Sequence, residues 1–406
     1  MENHSYDDHF GMLKRGDGFK LGSDGLPLDA NLYTDGKLLK AFHMPSSCQL
    51  AHTPGQNWNA SHTAYANGRN DGFVKGSGPV AMGYWDETDI PFYYGLAQTF
   101  PLSDRWFCSV LAQTYPNRRF LIAGTAAGII STSSDALLAP PPPNGTIFDR
   151  LNEHGISWHD YYSDLPGIAV IPQSVTGTNE AHITKGVSHF ITAAAAGKLP
   201  ALSFVDPNFG IQSEEDPQDI RQGERFAAAV INAVMHGPAW SKTLLIWTYD
   251  EHGGYYDHVP PPRAIRPDNI PPEIHVPPDL PGAYDRYGFR VPAVLVSPYA
   301  RPNYVSHVVH DHTSVLKLIE TKWNLPALTY RDANADDLLD SLDLKGKPAF
   351  LDPPTLPAPA LPASVEVDAT AGTTDHCSPG EPGGPIPPPA AVVPASEASK
   401  LRVGAA

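Results

Sequence analysis

Apolar residues recur along this chain in two rhythms. In residues 219–236, Phe226, Val230, Ile231 and Val234 fall at helical spacing, and Gly237-Pro238 closes the stretch. Helices are also predicted over residues 314–323, from Thr146 to a stop at Gly155, through the alanine run 193–196, and over 119–127. Ahead of the last of these, Pro116 sits in the first turn, where a missing N–H is harmless. Between the helices come short apolar runs of strand length: Ile156-Ser157-Trp158, residues 201–205 ending at Asp206-Pro207, residues 243–249, and residues 291–297. The run 243–249 is continuous enough to be a central parallel strand buried on both faces. Alternation of the two patterns predicts an α/β fold, a mostly parallel central sheet with helices on both faces. In such folds the ligand lies at the carboxyl ends of the strands. Residues 12–75 and 259–288 read as long loops.

Composition divides the chain in two. Residues 351–406 hold 12 of the 43 prolines and no aromatic residue, too little apolar surface to offset the entropy of ordering. A disordered tail is predicted there, behind one domain of residues 1–350. With 28 basic and 44 acidic side chains, a net charge of −16, the surface is unsuited to coating nucleic acid. No apolar run reaches the roughly 18 residues of a membrane span, and no basic-then-apolar signal segment opens the chain. The cysteines Cys48, Cys108 and Cys377 are odd in number and far apart, which argues against a disulfide framework or a paired-cysteine zinc site.

The run 243–249 leads straight into Asp250-Glu251-His252-Gly253-Gly254 and then Asp257-His258. Adjacent carboxylates at the mouth of a buried strand are costly unless paired or bound to a cation, and two glycines let the backbone approach a ligand closely. The bland alternative is a solvated, helix-capping loop. Thr114-Tyr115-Pro116-Asn117-Arg118 places a threonine at a helix N-terminus, an anion site by its free N–H groups and dipole. A threonine hydroxyl attacks poorly unless a base or metal lowers its pKa, and alone it is an N-cap. Glu2 and Asn3 are hard oxygen donors suited to Mg, Mn or Ca, while nearby imidazoles favour Zn or Mn. Histidines gather at His43, His52 and His62 and again at His307, His310 and His312; each alone is more often structural than a ligand. Asp311-His312-Thr313-Ser314 has the form of a helix cap. A Walker loop, GxGxxG, GxSxG and HExxH are all absent, so nucleotide, lipase-type and zincin chemistry lose support.

Taken in order, these segments resemble the bacterial phosphoesterase family of non-haemolytic phospholipases C and acid phosphatases, a branch of the alkaline-phosphatase-like fold. The resemblance covers nearly all of residues 1–325. It rests on Glu2-Asn3-His4-Ser5-Tyr6-Asp7 with Phe10-Gly11, His62 ahead of Asn70-Asp71-Gly72-Phe73, Thr114-Tyr115-Pro116-Asn117-Arg118, and Asp206-Pro207. Asp219-Ile220-Arg221-Gln222-Gly223-Glu224, Thr248-Tyr249-Asp250-Glu251-His252-Gly253-Gly254 with Asp257-His258, and Asp311-His312-Thr313-Ser314 complete it.

The resemblance implies a metal-dependent phosphoric-ester hydrolase, phospholipase C-like in preference to acid phosphatase, working through a covalent phospho-threonine. It makes Thr114 the nucleophile, with its oxygen on one divalent ion (Ca, Mg, Mn or Zn) held by Asn3, Asp250 and Glu251 together with Glu2. It gives His62 and His258, and after them His252 and His312, contacts to phosphate or the protonation of the leaving group, work suited to a pKa of about 6.5. Arg118 is expected only to support the loop. Substrates would be small phosphate esters or phospholipids, and members of this family are often exported or held in the cell envelope.

Three departures from the family pattern carry expectations of their own. A strand normally precedes the Glu2-Asn3 pair, so its absence predicts a frayed pair of ligands and an exposed sheet edge. Asp216, in Glu215-Asp216-Pro217, stands where many members carry His and would repel phosphate unless protonated or metal-bound. No β domain follows residue 350. Two other readings compete. A sulfatase needs a Cys or Ser nucleophile that Thr114 cannot replace; a catalytically impaired envelope or binding protein would hold no stoichiometric metal.

Overall fold

The computed structural model describes residues 1–34, 36–48, 53–361 and 386–404. It is mixed α/β. Five small sheets carry the strands among the described residues, where one larger sheet was expected. The longest parallel pairing is in the triplet where Trp158–Tyr162 lies between Ile183–Lys185 and Leu202–Asp206, with Asp160 opposite Phe204. The helices Val187–Ala195 and Ile220–Met235 pack on each other beside it. The second has the predicted boundaries to within one residue, capped by the Asp219 side chain on the Arg221 N–H.

The strand expected to be central and parallel pairs otherwise. Leu245–Thr248 runs antiparallel to Ala293–Val296, with Trp247 opposite Val294, and of its own residues only Trp247 is buried. A parallel return needs a long crossover, usually helical. No helix occurs in residues 249–292, so the chain comes back antiparallel. Ala293–Val296 is the strand buried throughout. Burial of Val294, Leu295 and Val296 contributes about 1.5–3 kcal/mol each, and Leu295→Ala would cost about 2–5 kcal/mol through the cavity left. Leu102–Ser103 extends this sheet on the far side.

Thr114–Ala123 is helical from five residues earlier than predicted and ends where Gly124, at φ 71°, returns its N–H to the Phe120 carbonyl. It packs on His312–Trp323, whose first turn Asp311 and Ser314 cap reciprocally. Both helices thereby present their N-termini at the same end of the molecule as Asp250, to whose carbonyl His312 is bonded.

Four expectations are corrected. The segment 12–75 is not a bare loop: it contains the strands Asp29–Leu32 and Lys37–Lys40 and the helix Trp58–Tyr65. Nor is the N-terminus frayed. The Met1 amino group donates to the Thr248 carbonyl at 3.2 Å, Asp250 N–H donates to the Met1 carbonyl at 3.2 Å, and Glu2 N–H to Ser213 at 2.9 Å. The tail is not wholly unstructured either. Val392–Pro394 adds to Lys37–Lys40 and Arg402–Val403 to Asp29–Leu32, one on each side of that pair. Edge strands this short are held by ladder hydrogen bonds and one ion pair, Arg402 with the buried Asp29 carboxylate, which composition does not register. Residues 362–385 lie outside the described residues. Finally, Cys48 is disulfide-bonded, and Cys108 is a free, buried thiol.

Candidate active site

Arg118 is the hub of the strand ends. Its Nε donates to Asp250 Oδ2 at 3.1 Å, its Nη2 to Glu2 Oε1 at 3.2 Å, and Nη1 stands 3.6 Å from Asp206 Oδ1. The guanidinium also lies 4.9 Å above the Phe209 ring. Burial alone would pull its pKa down, but Asp250, Glu2 and Asp206 overcome this and raise it. The expectation that Arg118 merely supports a loop is thus corrected. Asp206 shared the signal that singled out Asp250, an acid ending an apolar strand.

The turn after Thr248 is tightly built. Asp250 Oδ1 accepts from the Asn3 N–H at 3.2 Å and the Glu251 N–H at 2.8 Å, and Glu251 Oε2 from the Gly253 N–H at 2.8 Å. Gly253 is required: φ is 63°, and a Cβ would fall 1.8 Å from the Asn3 carbonyl oxygen. Asn3, itself at φ 67°, is thereby pressed against this turn.

Three buried oxygens here have no protein partner: Glu2 Oε2, Asn3 Oδ1 and Glu251 Oε1. Burial, against Arg118, pushes Glu2 up to about 8. Burial and then Asp250 push Glu251 well above the usual range, and burial raises Glu215, whose carboxylate accepts from Gln56 at 3.2 Å. Five acids, Glu2, Asp206, Glu215, Asp250 and Glu251, thus crowd around one guanidinium. Unpartnered hard oxygens and excess negative charge fit a divalent cation. Glu2, Asp250 and Glu251 are not drawn within one ion's 4.8 Å span of each other, because Arg118 stands between two of them. Asp216 next door is driven upward by burial and accepts from Tyr255 Oη at 3.0 Å, so this acid is held towards its neutral form.

Thr114 opens the helix one turn before Arg118, on the same face and 8% exposed. Tyr115 N–H is taken by Thr132 Oγ1, Asn117 N–H by the Gln113 carbonyl, and Pro116 has none. The anion site of this helix end therefore narrows to the Thr114 N–H and hydroxyl.

The histidines separate. His312 Nε2 lies 2.6 Å from the Asp250 carbonyl, which can only accept, so the proton is on Nε2; the buried Nδ1 has no partner. Burial lowers its pKa. His252 is packed against Phe73 and Phe289, and burial lowers its pKa to about 3, so it is neutral. His62 Nδ1 bonds the Trp58 carbonyl at 2.8 Å, which leaves Nε2 as the acceptor of a ring whose pKa burial lowers. The ring lines a cleft of about 520 Å³ with Leu111, Leu280, Asp285 and Arg286. His258 belongs to another cluster. Asp7 and Asp17 take its Nδ1 and Nε2 at 2.7 and 3.2 Å, and Arg290 bridges Asp7 and Asp257 beside it. Both ring nitrogens of His258, expected to contact phosphate or protonate the leaving group, are thus engaged by carboxylates in this structure. His43, His307 and His310 each pair with a carboxylate, and His52 lies outside the described residues.

A hydroxyl at a helix mouth, an arginine one turn behind it and a pocket of hard oxygen donors are groups that the chemistry of an oxyanion ester calls for. The profile of the Phosphoesterase family matches residues 1–326, and the chain belongs to that family. It is 30% identical to phospholipase C B of Mycobacterium tuberculosis (strain ATCC 25618 / H37Rv), over 80% of this chain and 71% of that protein. It is likewise 30% identical to non-specific phospholipase C1 of Arabidopsis thaliana, over 88% and 72%. Among solved structures, an alkaline phosphatase superfamily protein from Vibrio parahaemolyticus aligns at 12% identity and a TM-score of 0.37, over 82% of this chain and 77% of that one. The chain is a hydrolase of phosphoric ester bonds.

Proposed function

We propose that this hydrolase acts as a phospholipase C, with Thr114 as its nucleophile. The observation that carries the reading is the placement of Thr114 at the first residue of a helix whose Arg118 grips Asp250 and Glu2. Thr114 Oγ1 attacks phosphorus and the bond to the glycerol oxygen breaks, leaving the headgroup phosphate on Thr114. Water then cleaves the Thr–O–P link, freeing the phosphorylated headgroup and restoring the hydroxyl. The Thr114 N–H and Arg118 meet charge on the phosphoryl oxygens. The proton lost by the Thr114 hydroxyl ends on the departing glycerol oxygen; His62, neutral with Nε2 open as an acceptor, takes that proton up and hands it on. Glu2, Asn3, Asp250 and Glu251 would hold a divalent ion, which when bound lowers the pKa of the Thr114 hydroxyl and balances phosphoryl charge.

Hydrolysis of p-nitrophenyl phosphate, p-nitrophenylphosphorylcholine and phosphatidylcholine, side by side with and without chelator, tests this. Turnover of the two choline esters, lost on chelation, is expected. Turnover of the monoester alone would make the chain an acid phosphatase of the same family. The disulfide at Cys48 supports an oxidising, exported location.

A further inference from the structure

Next to the strand ends lies a second cluster, buried throughout and built around Glu214. Its Oε1 accepts from Tyr93 Oη at 2.6 Å and its Oε2 from Tyr249 Oη at 2.5 Å, with His9 Nε2 3.2 Å from Oε2. The Glu214 carbonyl accepts from His4 Nε2 at 2.9 Å. Asp8 ties the two imidazoles together, its Oδ2 2.6 Å from His4 Nδ1 and its Oδ1 3.2 Å from His9 Nδ1. None of these side chains is more than 1% exposed. The chain gives way to Glu214: its φ is 75°, and a Cβ at Gly223, inside the helix Ile220–Met235, would fall 2.2 Å from its Cγ. Glycine costs a helix interior about 1 kcal/mol against alanine, and the room it leaves here goes to Glu214.

Members of this cluster are chain neighbours of the candidate site. His4 follows Asn3, Glu214 precedes Glu215, and Tyr249 precedes Asp250. Three segments far apart in sequence therefore meet at one carboxylate, each beside a residue that carries an oxygen donor of the site. Glu2 N–H, bonded to the Ser213 carbonyl at 2.9 Å, closes the same seam. Tyr93 differs: it comes from the helix Pro91–Thr99, which holds no site residue. Burying so many polar groups adds little stability over an apolar core. What a fully bonded polar cluster adds is a single fixed geometry.

We propose that Glu214 is a positioning residue for the candidate ion site: by binding His4 and Tyr249 it fixes Asn3 and Asp250 relative to each other, and with them the span that an ion must bridge. The proposal rests on the reading of Asn3 and Asp250 as ligands. The test is Mn(II) titration of the full chain after chelator treatment, read by the electron paramagnetic resonance of free Mn(II), beside urea unfolding and turnover of p-nitrophenylphosphorylcholine. Tyr249→Phe and Tyr93→Phe each take one hydroxyl from Glu214, at bonds of nearly equal length, so both should shift the urea midpoint alike. Only Tyr249→Phe should weaken Mn(II) binding by roughly tenfold or more, with turnover falling in step at fixed Mn(II); Tyr93→Phe should stay within about threefold. Glu214→Gln, with one accepting oxygen in place of two, should weaken binding at least as much as Tyr249→Phe. Where Glu214→Gln is too unstable to purify, the tyrosine pair decides. Equal Mn(II) affinity in the two tyrosine variants overturns the proposal and leaves the cluster a support of the fold alone. An unaltered chain that binds no Mn(II) overturns the ligand reading and the proposal with it; binding that Glu251→Gln weakens and Tyr249→Phe does not leaves the ligand reading standing and removes only the role of Glu214.

Discussion

Arg118 Nε lies 3.1 Å from Asp250 Oδ2 while its Nη2 lies 3.2 Å from Glu2 Oε1, so one side chain ties the N-terminal segment to the end of a distant strand. Removing it strands buried carboxylates, which costs about 3–5 kcal/mol where a buried pair is broken from one side. Arg118→Ala should lower urea stability by that amount and abolish turnover. Arg118→Lys should recover little, because a single ammonium cannot serve two carboxylates in fork geometry. A loss under about 1 kcal/mol would mean that the acids are already neutral without the arginine.

Thr114→Ala should leave the melting temperature unchanged, because Gln113, not Thr114, occupies the N-cap and no hydrogen bond depends on the hydroxyl. Turnover should fall at least a thousandfold, roughly 4 kcal/mol at about 1.36 per decade. Thr114→Ser should remain active. A drop below about tenfold for Thr114→Ala would exclude a covalent role.

These assignments show what local pattern can and cannot carry. Helix 220–235 was legible because Phe226, Val230, Ile231 and Val234 repeat at its period, and Asp250-Glu251 because acids so rarely follow an apolar run. Arg118 was not, since its role depends on Glu2 and Asp206 arriving from far along the chain. Pairing direction was equally hidden: the apolar run 243–249 suits either orientation, and the helix-free connection to Ala293 decides it. The partners of His258 were hidden too, because Asp7 and Asp17, which occupy both its nitrogens, carry no periodic mark.

Glu251→Gln keeps the shape of the turn but removes the charge from the unpartnered Oε1. Elemental analysis of the purified variant should find the divalent metal-to-protein ratio lowered roughly tenfold or more, since a hard-cation site depends on its carboxylate count. An unchanged ratio would make Glu251 a structural group.

Stability should fall as the solution becomes alkaline. Burial alone would lower the pKa of His9, yet Asp8 and Glu214 raise it to about 9, and burial against Asp7 and Asp17 leaves His258 at about 9. A histidine raised above its unfolded value of about 6.5 gives stability that is complete below that pH and lost on rising through the folded pKa. Glu224, raised by burial to about 7, acts in the same direction, since ionising it costs stability from about pH 4.5 upward. Urea midpoints measured across this range should therefore decline between about pH 6.5 and 9, and His9→Gln should flatten part of that slope. A stability that holds level or rises across this interval would show that neither histidine is held as a cation.

The C-terminal strands test whether a proline-rich segment can be part of the domain. Val392–Pro394 and Arg402–Val403 cover opposite edges of the Asp29–Leu32 and Lys37–Lys40 pair. Beneath them, Leu38 and Leu39 are buried, and Gly404, at φ 71°, sits so close to the Arg69 carbonyl that a Cβ would lie 2.2 Å from it. Asp29 is wholly buried; burial raises its pKa even with Arg402 alongside, so without Arg402 it must either stay charged and unpaired or take up a proton. Truncation before residue 386 should therefore lower the melting temperature by about 5 °C or more, on the scale of about 2–4 °C per kcal/mol for large domains. Arg402→Met, which keeps the strand and much of the side-chain volume, should reproduce part of that loss and should do so less at acid pH, where Asp29 is protonated. An unchanged midpoint in the truncated protein would mean that the edge strands add no stability and that the sheet is complete with two strands.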